Sequence, residues 1–240
     1  LVELDQQVRD AYNNFDFKRA VSALLNFMNL DLSAFYFDIR KDALYCDMPA
    51  SIRRRACRTV MDQVFHSMVK WLAPMLCFTM EEVWQTRFPD ENDSVHLKQF
   101  PEIPAQWRND ALAQKWAKVR ELRSVVTGAL EIERREKRIG SSLEAAPQVF
   151  VADNTYIEAM NGIDLAEISI TSQATLIAGE GPENAFRLPN IADISVVPGL
   201  ATGNKCQRSW KILPEVGSDP EFPDLSLRDA QAVRFFDSSK

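Results

Sequence analysis

Apolar residues recur at every fourth position from Ile52 through Ala56, Val60, Val64 and Met68 to Leu72, and this run constrains the fold more than any other feature. A stripe of that period lies on one face of an α-helix, and Cys57, Met61 and Phe65 widen it. Ser51 stands where a helix N-cap is favoured, so the pattern predicts a long helix opening there. Pro74 should kink or break it, and residues 79–88 resume it with Val83 and Trp84 inward.

Helices are expected on both sides of this one. Residues 17–29 place Val21, Leu24, Leu25 and Met28 at helical spacing. Asp31 can cap a second helix over 32–41, with Ser33 as a competing cap. The segment FPDENDSVHLKQFPEIP (88–104) is rich in turn residues and reads as a connector. A last long helix is expected over about 109–138, burying Leu112, Trp116, Val119, Leu122, Val126 and Leu130 and stopped by Gly140. Beyond it the period changes. Val149–Val151 is a strand signal, 156–160 suggests a helical turn or two, and 168–170, 175–178 and 194–197 alternate weakly as strands do. The expected organisation is a mainly α chain: a helical domain at 1–140, a small α+β unit at 141–200 and an irregular module at 201–240.

Charge narrows the partner. The chain carries a net charge of -6, which argues against a generally basic nucleic-acid binder. Its distribution is uneven, however: residues 1–140 carry a net of +1 and residues 141–240 a net of -7. A polyanion would therefore meet local basic patches in the first part. The four cysteines, Cys46, Cys57, Cys77 and Cys206, suggest no disulfide framework, and a cytoplasmic setting is expected. No run of about 18 apolar residues is visible, so no membrane span is expected. The chain starts without Met, and residues 2–12 read as the middle of a helix, so it is expected to be part of something longer.

No phosphate-cradling glycine loop, nucleophile elbow or HExxH motif is present. His66 reads as a packed or half-exposed histidine rather than a general base. Two basic clusters are more informative. In DLSAFYFDIRKDALYCD (31–47), Phe35, Tyr36, Phe37 and Tyr45 share a surface with Arg40 and Lys41, an arrangement in which rings can stack on bases and cations can hold phosphates. A helical hairpin with core aromatics and solvated charges fits the same residues. Arg53, Arg54, Arg55 and Arg58 follow in the first turns of the long helix, where the helix dipole makes each cation cost about 0.3–1 kcal/mol. Arg54 and Arg58 are four apart and face one way, so both can reach one phosphate backbone; salt bridges to Asp42, Asp47 or Asp62 are the competing use. The second cluster, EIERREKR (131–138), reads as a solvated, self-paired face.

DLSAFYFDIRKDALYCD, the arginine-rich helix continuing into WLAPMLCFTMEEVWQ, and KRIGSSLEA (137–145) together resemble the C-terminal part of the bacterial isoleucyl-tRNA synthetase family, over most of residues 10–150. The resemblance implies an all-helical anticodon-binding domain, a small mixed domain and a terminal zinc-binding module. It also implies a parent ligase that uses ATP and Mg to join isoleucine to its tRNA. The HIGH-type and KMSKS-type signatures and any editing site are absent from this chain, so the chain itself is expected to have no catalytic site. The partner implied is the anticodon stem-loop of isoleucine tRNA, bound by a monomer, with no DNA and no membrane. Arg53, Arg54 and Arg58 are the expected phosphate contacts, Lys41, Arg120 and Arg123 secondary ones, and Tyr36 and Trp210 the stacking candidates.

The terminal module departs from the family's two Cys-x-x-Cys pairs. The first stands as KCQRSW, with Cys206 kept and Ser209 in the other position, and the second falls at Ser226 and Asp229. Serine hydroxyls are poor zinc ligands at neutral pH, so a zinc-ribbon-like module that has lost its metal is expected. Two other readings stay open: the corresponding domain of a related class I synthetase such as valyl, and a helical protein-interaction module that never meets RNA.

Overall fold

The computed structural model describes residues 1–238 and is about 56% helical with a small sheet, so the chain is mainly α. It divides into two compact units: Leu1–Leu44 with Pro49–Asn109, and Tyr45–Met48 with Asp110–Lys240.

The first unit is helical. It contains α1 (Val2–Asn13), α2 (Phe17–Asn26), a π-helical stretch (Phe27–Phe37), α3 (Asp38–Cys46, whose last two residues group with the second unit), α4 (Ile52–Leu72) and α5 (Cys77–Arg87). Asp16 caps α2 by accepting from the Arg19 N–H at 3.0 Å. The break expected at Asp31 does not occur. Asn26 and Phe27 both keep helical dihedrals, so the chain continues with a wider i→i+5 winding and Asp31 has no helix start to cap. The resulting continuous helix, Phe17–Cys46, reaches a mean hydropathy of 1.2 over an 18-residue window. By length and composition alone it therefore passes the test for a membrane-crossing segment, a test that the core helix of a soluble protein also passes. Its Ala20, Leu24 and Leu32 are nonetheless buried, with Leu24 and Leu32 packed into the unit's own core.

Ser51 opens α4 as expected, its Oγ accepting from the Arg54 N–H at 3.4 Å. The buried face holds Cys57, Val64, Met68 and Leu72, but Ile52 and Val60 are 83% and 44% exposed, so the stripe is narrower at its start than its period suggested. Trp71 is fully buried; its indole N–H donates to Asp5 at 3.2 Å and its carbonyl accepts from the Tyr12 hydroxyl at 2.7 Å, fastening α4 to α1. The helix ends just before Pro74, and α5 starts at Cys77, two residues earlier than expected.

In the second unit, α6 (Asp110–Arg135) packs on a four-stranded sheet of β1 (Gln148–Val151), β2 (Thr175–Ala178), β3 (Phe186–Leu188) and β4 (Ile191–Val197), in the order β2-β1-β4-β3. β1 and β2 run parallel, joined through α7 (Asn154–Met160) and α8 (Leu165–Ser169), and the other pairs are antiparallel. Val119, Leu122, Val126 and Leu130 of α6 share one core with Val149, Val151, Ile194 and Val196. The long helix thus groups with the sheet and not with the preceding helices, and the division falls at residues 109/110, not near 140. At Gly128 a Cβ would stand 3.1 Å from the Phe186 ring, so a small residue lets helix and strand approach.

Four further local expectations change. α6 ends at Arg135, and Lys137 (φ 58°), not Gly140, takes the left-handed turn. Leu112 is 48% exposed in the first turn of α6. Residues 168–170 are not a strand, because Asp164 caps α8 by accepting from Ala166 and Glu167 N–H groups at 2.9 and 3.3 Å. The strand β3 gave no sequence signal.

The last stretch is a two-stranded hairpin, β5 (Asn204–Lys205) and β6 (Ile212–Leu213), followed by α9 (Leu227–Ser238). Its core is separate and small: Cys206, Val216, Leu225 and Ala230.

Candidate nucleic-acid interface

The first turns of α4 hold four arginines, and the structure sorts them. Arg53 donates to Asp42 Oδ2 at 3.3 Å, with both side chains partly buried. Arg54, whose N–H is held by the Ser51 cap, is half-buried. Arg55 and Arg58 are exposed, and neither has an ion pair among the described residues. Three residues apart, they lie on one face of the helix about 4.5 Å apart along its axis. They stand at the positive end of the helix dipole, where their charge is not compensated from within. Arg55 belongs to the cluster visible in the sequence but not to its expected phosphate contacts, because the i,i+4 partner of Arg58 is Arg54; the i,i+3 spacing carries the signal instead.

The other expected residues are scattered. Lys41 is exposed and paired with Asp38 at 2.8 Å. Tyr36 is half-buried and meets the edge of Phe37 at 6.2 Å. Burial, followed by the neighbouring Cys57, pushes its phenol up to about 12, so it stays protonated. In the second unit, Arg120 is exposed on α6. Arg123 donates from Nε to the Ile168 carbonyl at 2.7 Å, satisfying the end of α8, where Ile170 turns left-handed. Trp210 is 62% exposed at the tip of the β5–β6 hairpin, with the Lys205 ammonium 5.8 Å from its ring centroid. Its backbone is left-handed (φ 63°), and its N–H donates to the Cys206 carbonyl at 2.9 Å.

A second collection of rings and cations lies in the first unit, in a cleft of about 550 Å³ lined by His66, Lys70, Trp84, Arg87, Phe88 and Lys98 among others. His66 stacks on Phe88 (5.4 Å, 21°). Burial lowers its pKa more than nearby Asp62 raises it, so the imidazole is neutral at pH 7. Arg87 already covers the Phe88 ring at 5.0 Å and Lys98 the Trp84 ring at 5.5 Å, while Lys98 also pairs with Asp93 at 2.5 Å. These ring faces are taken by the protein's own cations.

The four positions that would hold a metal in the terminal module do converge, but not as ligands. Cys206 Sγ donates to Asp229 Oδ2 at 3.2 Å and accepts from the Ser226 N–H at 3.3 Å. Ser226 Oγ donates to the same carboxylate oxygen at 2.8 Å and accepts from the Asp229 N–H at 3.2 Å, capping α9. Arg208 Nη1 fills Asp229 Oδ1 at 2.6 Å. Ser209 Oγ is buried without a partner at hydrogen-bonding geometry among the described residues. Burial alone would raise the Asp229 pKa, but the Arg228 charge and the hydrogen bonds it accepts hold it at about 2. With one thiol, two hydroxyls and a carboxylate already occupied by protons on both oxygens, this set does not fit zinc.

Comparison with known proteins follows the same lines. Residues 1–150 match the family described as the anticodon-binding domain of tRNA ligase. Over 98% of its length the chain is 59% identical to the isoleucine–tRNA ligase of Agrobacterium fabrum and 56% identical to that of Brucella abortus. Over its full length it is 54% identical to the isoleucine–tRNA ligase of Caulobacter vibrioides. In each case the chain spans about a quarter (24%) of the relative.

Proposed function

This chain belongs to the anticodon-binding domain family of tRNA ligases, and from that premise we propose that it is the tRNA-anchoring C-terminal part of an isoleucine–tRNA ligase. Its partner is the anticodon stem-loop of isoleucine tRNA. Binding of ATP and Mg, activation of isoleucine and its transfer belong to other parts of the parent enzyme, a class I synthetase acting as a monomer in the cytoplasm. The observation that carries this reading is the uncompensated Arg55–Arg58 pair on the face of α4, within the segment that matches the family. Phosphate contacts of this kind fix register, while stacking and base-edge contacts provide selectivity. Arg53, Arg54 and Lys41 border the contact, Arg120 on α6 is a weaker contributor, and Trp210 with Lys205 supplies a stacking platform. Tyr36 and Arg123 support the fold rather than the RNA. The C-terminal module is zinc-ribbon-like in its connectivity and works without metal.

The test is fluorescence anisotropy with labelled isoleucine tRNA and the same tRNA carrying a foreign anticodon. Tighter binding of the native anticodon is expected. Equal affinity for both, at salt where non-specific attraction is screened, refutes anticodon reading and favours a partner that is not RNA.

A further inference from the structure

We propose that Arg208 takes the place of a metal ion at the centre of the terminal module, and that its ion pair with Asp229 positions the turn carrying Trp210. The second half of this inference rests on the reading of Trp210 as a stacking residue; the first half does not.

The argument starts from what a metal does in a small module. It provides one positive centre that draws side chains from two sequence-distant segments together, and those ligands then fix the turn between them. Here the two segments are the β5–β6 turn and the start of α9. The centre that joins them is a guanidinium. Nη1 of Arg208 donates to Asp229 Oδ1 at 2.6 Å and to the Cys46 carbonyl at 2.5 Å, and Nη2 donates to the Tyr45 carbonyl at 2.9 Å. Asp229 is fully buried, so its carboxylate requires a cation close by. Arg228 provides a second, reaching Asp229 at 3.2 Å and Asp47 at 3.5 Å. The planar fork suits this place: it bonds a carboxylate and two carbonyls that diverge in direction, which a compact ammonium cannot do at once.

The consequence for Trp210 is geometric. Arg208 lies two residues before it, inside a turn closed by two backbone bonds, Cys206 N–H to Lys211 O at 2.8 Å and Trp210 N–H to Cys206 O at 2.9 Å. Cys206, at the base of the turn, is itself bound to Asp229. A left-handed tryptophan, 62% exposed, is an unfavourable local choice that the surroundings must enforce. The Arg208–Asp229 contact provides that enforcement, which makes Arg208 a positioning residue.

Purified chain should carry no stoichiometric zinc by elemental analysis, and excess EDTA should leave its melting temperature unchanged. Arg208→Met should lower the melting temperature by about 6–20 °C, the shift expected for breaking a buried pair in a chain of this size. It should also displace the Trp210 indole resonance in a nitrogen-15 spectrum, assigned by its loss in Trp210→Phe. Arg208→Lys, which keeps the charge without the fork, should give a smaller effect in the same direction and remains readable if the Met variant does not fold. Bound zinc near one per chain, EDTA-induced melting, or an Arg208→Lys protein identical to the parent in both readouts overturns the proposal. If both readouts change but neither Arg208→Lys nor Trp210→Phe alters tRNA affinity, the staple stands and the stacking role of Trp210 falls.

Discussion

The sharpest expectation concerns salt. Arg55 and Arg58 are exposed without internal ion pairs among the described residues, whereas Arg53 on the same turn is held by Asp42 at 3.3 Å. If each of the exposed pair neutralises one tRNA phosphate, replacing both with alanine removes two released counterions. The slope of log K against log salt should then flatten by about 1.4 for a single-stranded contact or about 1.8 for a duplex stem. Between 50 and 200 mM salt the parent chain should therefore lose about 7- to 12-fold more affinity than the double variant. Arg53→Ala serves as the control, with a slope close to the parent's, because its charge is already compensated. The assay is anisotropy with isoleucine tRNA at five or six salt concentrations, with circular dichroism verifying the fold of each variant. Parallel slopes for parent and double variant, with folding intact, refute the assignment of these two arginines to phosphate. A slope change confined to Arg53→Ala shows that the buried and open members of the cluster have been assigned the wrong way round.

Three other outcomes follow from the packing. Trp71→Ala empties a fully buried site and leaves Asp5 without its indole donor, so denaturant melts of the first unit should lose about 3–5 kcal/mol, against about 1–2 kcal/mol for Trp71→Phe. Asp229 is held at about 2 in the folded chain; its folded pKa lies below the unfolded one, so its contribution of about 2 kcal/mol is present above about pH 4 and is lost as pH falls toward 2. An acid melt with the same midpoint in Asp229→Asn contradicts that. Gly203 has φ 119°, and a Cβ there would stand 2.3 Å from the Leu213 backbone, so Gly203→Ala should open the hairpin to limited proteolysis near residue 210 while leaving the first unit's melt intact.

The helices α4 and α6 were legible because they are long and strongly periodic, while β1, β2 and β4 gave only short or weakly alternating signals. The Ser51 cap and the Pro74 break were local chemistry that the sequence states directly. What failed was information of other kinds. Nothing in a linear pattern distinguishes a helix that restarts at Asp31 from one that widens to a π winding through it. The alternation at 168–170 was weaker than the cap at Asp164, which made that segment a helix. Leu112 and Ile52 match the helical period but sit at helix starts, where period alone does not reveal what lies opposite. In the candidate site, the arginine cluster was visible as composition, but which members are free depended on Asp42, eleven residues from Arg53. The four positions at Cys206, Ser209, Ser226 and Asp229 were identified from family spacing, whereas Arg208 as their charge partner was not, because no spacing rule connects it to Asp229.

Tyr45–Met48 groups with the second unit although most of its sequence neighbours belong to the first. Dissecting this protein at the 109/110 boundary would therefore yield a C-terminal piece deprived of the two carbonyls that Arg208 grips. Anyone cloning that piece for crystallisation or binding studies should supply residues 45–48 in trans as a peptide, or else expect a guanidinium seeking substitutes in solvent.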